Sequence, residues 1–532
     1  MHKFTLRTAA VLSLILGLFL VCIVRIIMII QNPKITETAN TQSALNLNIC
    51  SLRGNIFDTN GVNLTQTEKE NCAVIAPCKE TEDFVKKVLT GEEKEQVLEK
   101  LINGKPATLI TQEPLYCQGI TNVMVPKRNT ENLLCKHLIG YTDYSGHGVS
   151  GLQKIFDSTL YTTEKINAKF FQSAYGRVLS GAEVIINFEN KFENSGVVTT
   201  IERNVQYLTE KAAESIIKGA VVVSEVESGK IRAMVSKPDY DINNIAEVLN
   251  SSDSPLINRC LMSYNVGSAF KPVVAAAGLE KGVKLTDFEC TGSVQVEDNL
   301  FNCHNRNGHG VVDMKNALSF SCNSYFYSFS QEVGADAVFS MAKTLGFGVK
   351  QKLFDGLITQ NEQITSLISL QNSPSALANL SIGQGQLLAS PITVLSLYEA
   401  IANGGVYKSK SVVEGIMEEG VMAKKYEETQ KTRAFSEKTA NILKEYLKEV
   451  LENGTGTKAK PNTVTAAGKT ATAQTGNKNN NGSPLEHSWF CGFFPFENPK
   501  YAVCVLIEDV NSSPVTAAEV FKNVADYIYS LE

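Results

Sequence analysis

Three stretches of this sequence carry side chains able to make and break an acyl bond. The first is Ser268-Ala269-Phe270-Lys271. Three residues apart on a helix, a hydroxyl and an amine share one face, one turn from each other. A serine is a weak nucleophile near neutral pH until a base takes its proton, and a lysine kept neutral can be that base. The second stretch is Ser321-Cys322-Asn323. It sets a hydroxyl beside an amide on a loop, able to relay a proton and to hold a substrate amide. The third is Gly468-Lys469-Thr470-Ala471-Thr472-Ala473-Gln474. On a strand, Lys469 and Thr470 point to opposite sides, and the small residues let a ligand lie along the backbone. An ammonium and a hydroxyl there suit a carboxylate.

Each pattern is short, and each has a decoy. Serine and lysine at average frequencies give roughly two chance Ser-x-x-Lys matches in a chain this long. This chain has three: Ser215 to Lys218, Ser268 to Lys271 and Ser340 to Lys343. Ser215 sits late in an amphipathic helical run, Val205 to Lys218, and Ser340 precedes Thr344-Leu345-Gly346, a helix ending at a glycine. Only Ser268 follows a glycine and opens a helix, Ala269 to Lys281. With Ser268 as N-cap, Pro272 is the fourth helical residue, where its missing N–H is still an orphan donor position. The helix dipole then favours developing negative charge on Ser268. A second Ser-x-Asn, Ser263-Tyr264-Asn265, comes before the candidate nucleophile. A second Lys-Thr, Lys438-Thr439-Ala440, lies inside the helical run Ser436 to Leu451, where a solvated face is expected. Three motifs in order, each on its expected element, are hard to attribute to chance.

At 532 residues the chain is long enough for two or three domains. Apolar content of 43% and charged content of 20% describe an ordinary globular protein, and a net charge of −5 argues against general nucleic-acid binding. The N-terminus differs. Ala9 to Val24 is nearly unbroken apolar sequence, continued after Arg25 by Ile26 to Ile30, with Lys3 and Arg7 ahead of it. This is expected to be an uncleaved transmembrane anchor with a cytoplasmic amino end and the rest of the chain outside. Twelve cysteines show no compact disulfide framework. Cys290 and Cys303 are the best pair, against an equal expectation of free buried thiols. Zinc is disfavoured: Cys303 and His304 are adjacent, and no second Cys or His pair completes a four-ligand set. Surface or core roles are expected for all six histidines, residues 2, 137, 147, 304, 309 and 487.

The expected layout is a cytoplasmic tail (1–7), the anchor (8–30), a polar tether (31–49), a mixed α/β pedestal domain (50–195) and a catalytic domain (196–532). Asn60-Gly61 marks a hairpin near the start of the pedestal. In the catalytic part, strands are expected at Val197 to Glu202, Ala220 to Val226 and Lys230 to Val235, and late at Thr463 to Gln474, Ser488 to Phe494 and Tyr501 to Ile507. Helices are expected at Asn204 to Lys218, 269–281, 313–318, 324–343, 391–403 and 436–452. Strands at both ends with helices between predict an α+β fold with one antiparallel sheet assembled from distant segments.

Together these residues resemble the penicillin-binding proteins of class B, over about residues 50 to 532. Arg53-Gly54-Asn55-Ile56-Phe57-Asp58 with Asn60-Gly61 resembles the opening of the periplasmic part. Gly219 to Val223, Ser228 to Ile231 and Pro238 to Asn243 resemble the start of a transpeptidase domain. Asn258-Arg259, Tyr264, Ser381-Ile382-Gly383-Gln384-Gly385, Ser390-Pro391, Asn453 to Thr457, Trp489 to Phe493 and Tyr501 to Glu508 extend the match. The family usually has Lys-Thr-Gly where this chain has Lys469-Thr470-Ala471. The extra methyl bears on rate and β-lactam affinity rather than on identity.

The resemblance implies a multi-domain α+β architecture with a five-stranded antiparallel sheet packed between helices. It also implies peptidoglycan D,D-transpeptidation. Ser268 would attack the penultimate D-alanine of a stem peptide, with Lys271 as general base. Ser321 and Asn323 would shuttle the proton and hold the substrate amide. Lys469 and Thr470 would bind the terminal carboxylate, and backbone N–H groups of Ser268 and Thr472 would form the oxyanion hole. An amine of a neighbouring strand resolves the acyl-enzyme, β-lactams acylate the same serine, and no metal or organic cofactor is needed. A separate membrane glycosyltransferase of the SEDS type is the implied partner. The competing readings are a D,D-carboxypeptidase or serine β-lactamase, and a catalytically impaired scaffold or β-lactam sensor.

Overall fold

The structure, a computed structural model, describes all residues except Met1, 32–43, 66–67, 129–132, 144, 174, 180–182, 188–191, 428, 479–481, 483 and Glu532. Its N-terminal helix, His2–Gln31, includes an exposed apolar span, Leu6–Gln31, long enough to cross a membrane. Most of the expected tether lies outside the described residues.

The chain packs as two compact units. One comprises Met1–Leu52, Glu68–Lys127 and Thr162–Asn190; the other comprises Arg53–Thr67, Arg128–Tyr161 and Lys191–Glu532. A continuous pedestal over 50–195 is therefore not what forms. The segments Arg53–Thr67 and Arg128–Tyr161 pack with the second unit because their apolar residues, Ile56, Leu64, Leu138, Ile139 and Leu152, belong to its core. The Arg53 guanidinium ties them together. It donates to Gln153 Oε1 at 3.0 Å and to Gly146 O at 2.7 Å, and pairs with Asp157 at 2.7 Å. Asn55–Phe57 then runs parallel to Gly196–Thr199. The first unit holds two three-stranded sheets, with cores around Val74 and Phe170 and around Val85 and Leu101.

The second unit is built on one antiparallel sheet of five strands. They are β1 (Gly219–Glu225), β2 (Ile231–Lys237), β3 (Ala467–Lys478), β4 (Pro484–Phe494) and β5 (Tyr501–Ile507), in spatial order β2-β1-β5-β4-β3. The helices that matter are α1 (Arg203–Ala212), α2 (Lys271–Lys281), α3 (Asn323–Val333), α4 (Pro391–Ala402), α5 (Glu437–Glu452) and α6 (Ala517–Tyr529). Successive strand residues face opposite sides of a sheet. On β4, Phe490 and Phe494 meet Phe521 of α6, with ring centroids 4.5 and 6.3 Å apart. Cys491 turns the other way, with Cys504 of β5, toward Tyr398 of α4. Every residue of α4 is buried, so this apolar helix is the spine of the core.

Several expected boundaries move. The helix expected to reach Lys218 stops at Ala212, and the run expected over 324–343 breaks at Gly334, whose φ is +83°. The strand expected over Val197 to Glu202 keeps only Gly196–Thr199, and the strand expected from Thr463 starts at Ala467. Thr439, placed on a solvated face by sequence, is 3% exposed; its backbone N–H donates to the Ser436 side chain that caps the start of α5.

One buried ion pair locks α4 to the sheet. Lys410 Nζ lies 2.8 Å from Glu399 Oε1, both side chains being essentially inaccessible, and Ser224 of β1 donates to Glu399 Oε2 at 2.5 Å. Lys410→Met strands a buried carboxylate and is expected to cost roughly 3–5 kcal/mol. The double variant Lys410→Met/Glu399→Leu is expected to recover most of that loss. Denaturant unfolding of the four corners of this cycle measures it, and equal losses in single and double variants would refute the coupling.

Candidate active site

Ser268 sits in a 3-10 turn, Gly267–Phe270, that runs into α2 at Lys271. It is not the N-cap. Phe270 holds that position and Pro272 is the second helical residue, where a missing N–H leaves no intrahelical bond unmade. Gly267 has φ +62°, and a Cβ there would lie 3.0 Å from Thr472 O and 3.1 Å from Ala473 Cβ, so the turn presses against β3. Behind it, Gly267 N–H donates to Gly383 O at 2.9 Å, and a Cβ on Gly383 would sit 2.0 Å from Gly267 O. The Ser381 to Gly385 block is thus a backbone brace for the serine. Tyr398 OH donates to Ala269 O at 3.0 Å, and Trp489 Nε1 donates to Asn265 O at 2.9 Å.

The lysine of the first motif points inward. Lys271 is fully buried and donates to Ser321 O at 2.6 Å, Ser321 Oγ at 3.2 Å and Asn323 Oδ1 at 2.8 Å. Ser321 Oγ donates in turn to Ser268 Oγ at 2.9 Å. Ser321 adopts the left-handed conformation, φ +57°, and Asn323 opens α3 with Cys322 as its N-cap. A non-glycine residue there carries about 1–2 kcal/mol of strain. That conformation aims the Ser321 carbonyl and hydroxyl at one amine.

Burial pushes the Lys271 amine down to about 7, because desolvation penalises the ammonium. Burial also holds Lys469 well below its ordinary value, and the charge on Lys271 adds to the effect. Lys469 Nζ donates to Thr470 O at 3.0 Å and Thr470 Oγ1 at 3.4 Å. Thr470 Oγ1 lies 2.6 Å from Thr455 Oγ1.

A cavity of about 490 Å³ opens over this floor, lined by Ser268, Ser321, Asn323, Thr470, Ala471 and Thr472. Trp489, Thr455, Lys458 and His304 also line it. Six of the seven residues expected from the motifs therefore meet there, counting Lys271 through its bonds to Ser321 and Asn323. Lys469, the seventh, lies beneath Thr470 on the face it shares with Cys491. Ala471 is 5% exposed and pairs across the sheet with Trp489, so its methyl lies in the cavity wall.

The decoys lie apart from the cavity lining. Ser215 and Ser340 are exposed; Lys218 pairs with Asp253 and Lys343 donates to Gly348 O. Sequence reading missed Thr455, Trp489 and His304. Thr455 and Trp489 stood within matched blocks, but nothing local distinguished their side chains, and His304 had been expected at the surface or in the core. Cys290 and Cys303 are both free thiols. The expectation that no four-donor set forms also fails: Cys290, Cys303, His309 and Cys322 bring their donor atoms within 4.8 Å of one another.

Comparison with known proteins agrees with this geometry. Residues 219–526 match the model of the penicillin binding protein transpeptidase domain. The chain is 25% identical over 547 aligned positions to stage V sporulation protein D of Bacillus subtilis, covering 95% of this chain and 82% of that protein. It is 28% identical to the peptidoglycan D,D-transpeptidase MrdA of Haemophilus influenzae, covering 62% of this chain and 55% of that one. Among solved structures, a D,D-transpeptidase domain from Eggerthella lenta superposes with a TM-score of 0.65 at 24% identity, over 90% of this chain and 99% of that one. The penicillin-binding protein PBP2 of Helicobacter pylori superposes at 0.66 with 21% identity, over 92% and 99%. The chain belongs to the penicillin-binding protein transpeptidase family, as a class B member.

Proposed function

We propose that this chain cross-links peptidoglycan stem peptides through a serine acyl-enzyme on Ser268. The observation that carries the reading is the chain of contacts from Ser268 Oγ through Ser321 Oγ to the buried Lys271 Nζ. With Lys271 protonated, the hydrogen bonds run from the lysine toward Ser268. When Lys271 loses one proton the direction reverses. Ser268 then donates to Ser321, Ser321 donates to the amine, and the serine oxygen is freed to attack. Lys271 thus acts as base through Ser321. Asn323, held by Lys271, offers its amide N–H to the substrate backbone.

β3 is the edge strand, so its outer backbone groups are open to an extended peptide. A stem peptide laid there places its terminal carboxylate by Thr470 and Thr472, over Lys469. Its penultimate carbonyl then reaches Ser268, with the N–H groups of Ser268 and Thr472 as oxyanion donors. Such a preorganised donor is typically worth about 3 kcal/mol. The leaving D-alanine takes the proton from Lys271, and an acceptor amine later returns one as it attacks the ester. β-Lactams acylate Ser268 by the same route. The intact relay speaks against a silent scaffold. The apolar span Leu6–Gln31, with Lys3 ahead of it and Arg7 at its start, fits a single-pass anchor with a cytoplasmic amino end. A membrane glycosyltransferase of the SEDS type is the partner that fits a class B transpeptidase as the source of strands.

Two outcomes are expected. Ser268→Ala abolishes covalent labelling by fluorescent penicillin, whereas Ser215→Ala and Ser340→Ala label as the parent does; labelling that survives Ser268→Ala would sink the assignment. Secondly, only neutral Lys271 can accept a proton, so the acylation rate should rise with pH and be half-maximal near 7. Lys271→Ala should lower that rate by roughly 10²–10⁴-fold and flatten the profile. Stopped-flow acylation across pH 5–9 on the parent and the variant gives the answer.

A further inference from the structure

Beneath the loop that carries Ser321 and Asn323, four side chains that take no part in acyl transfer converge. Cys290 ends the short strand Phe288–Cys290, Cys303 follows the strand Asn299–Asn302, and His309 precedes the strand Gly310–Val312. Cys322 caps α3 between the two residues of the second motif. The cysteines are essentially inaccessible. The loops are fixed by backbone bonds, His309 N–H to Cys290 O at 3.0 Å and Cys303 N–H to Gly292 O at 2.9 Å.

The spacing of the donor atoms decides what they are for. Zinc takes sulfur at about 2.3 Å and imidazole nitrogen at about 2.0–2.1 Å, tetrahedrally, so bound donors stand about 3.8 Å (S to S) and about 3.5 Å (S to N) apart. Here Cys303 Sγ is 4.0 Å from Cys322 Sγ, while His309 Nδ1 is 3.6 Å from both Cys290 Sγ and Cys303 Sγ. A disulfide instead needs about 2.05 Å and would leave the imidazole without a role. Three thiols packed only as apolar filler have no reason to ring one imidazole nitrogen. A backbone N–H, from Tyr325, also points at Cys322 Sγ at 3.5 Å, as outer partners of metal-bound thiolates do.

We infer that Cys290, Cys303, Cys322 and His309 hold a zinc ion whose work is to fix the loop bearing Ser321 and Asn323. Three cysteines and one histidine close the coordination sphere, so the ion keeps no position for water or substrate and is structural. Binding forms three Zn–S bonds and one Zn–N bond and releases the thiol protons to solvent. The Zn–S bond at Cys322 restrains the residue between Ser321 and Asn323. It thereby holds the left-handed Ser321 backbone and both contacts to Lys271. The four residues are positioning residues.

The experiment uses the full chain in detergent, purified under reducing conditions with zinc supplied. Elemental analysis should find one zinc per chain. Cobalt substitution should give the intense visible bands of a tetrahedral thiolate site. Cys290→Ser/Cys303→Ser and His309→Ala should lose most of the metal. Independently of any variant's folding, a chelator applied to the parent protein should lower both its thermal midpoint and its penicillin labelling, with recovery on adding zinc but not magnesium. Metal content is read without reference to acylation, so it stands or falls apart from the assignment of Ser268. The inference is overturned by a zinc-supplied parent protein that holds no stoichiometric metal, or by full zinc retention in both variants. It is equally overturned if the chelator changes neither readout, or if a non-reducing peptide map joins Cys303 to Cys290 or Cys322 in protein that lacks zinc.

Discussion

The structure turns on the cost of burying an amine. Lys271 and Lys469 are both removed from water, and an ammonium moved into a protein interior loses several kcal/mol of hydration unless acceptors replace it. For Lys271 the acceptors are the Ser321 carbonyl, the Ser321 hydroxyl and the Asn323 amide oxygen. These are too few and too neutral to hold the proton firmly. The amine therefore settles near 7 instead of in the ordinary lysine range. The same burial that weighs against stability leaves this amine able to take up a proton near neutral pH. The nearby Lys469 faces the same penalty, sharpened by its neighbour's charge.

Holding that arrangement needs rigid walls on every side, and the fold supplies them from remote parts of the chain. β3 comes from the last seventy residues, and the turn with Ser268 lies two hundred residues earlier. The two are pressed together until only glycine fits at position 267. The buried helix α4 sends Tyr398 to the backbone beside the serine, and Gly383 braces the turn from behind. Trp489, opposite Ala471 on the neighbouring strand, ties the segment leading to Ser268 to the sheet. The block Ser381 to Gly385, with two glycines, is therefore a packing requirement of the turn that carries Ser268. The strained loop at Ser321 forms another wall, and the cysteine–histidine cluster joins it through Cys322.

Much of this was legible in the sequence. Ser268 and Lys271, Ser321 and Asn323, and Lys469, Thr470 and Thr472 were identifiable because hydroxyl, amine and amide chemistry was repeated in order at short spacings. The hairpin of β1 and β2 and the strand Tyr501–Ile507 were legible because β-branched residues flank turn residues. The apolar N-terminal span was legible from its length alone. These are local properties: spacing along a helix, alternation along a strand, and an unbroken apolar run are all written in neighbouring residues.

Tertiary structure alone decided the rest. It placed Arg53–Thr67 and Arg128–Tyr161 in the core of the second unit, where sequence order had put them in a separate pedestal. It showed that the hydrogen bonds linking Ser268 to Lys271 run through Ser321, although serine and lysine are three residues apart and Ser321 is fifty-odd residues away. It moved Ser268 off the helix cap, and it gathered Cys290, Cys303, His309 and Cys322 around one point, where the sequence showed no four-ligand set. The physical reason is common to all of these. Each depends on contacts between residues far apart in sequence, set by which apolar faces bury together, and no periodicity within a single segment encodes them.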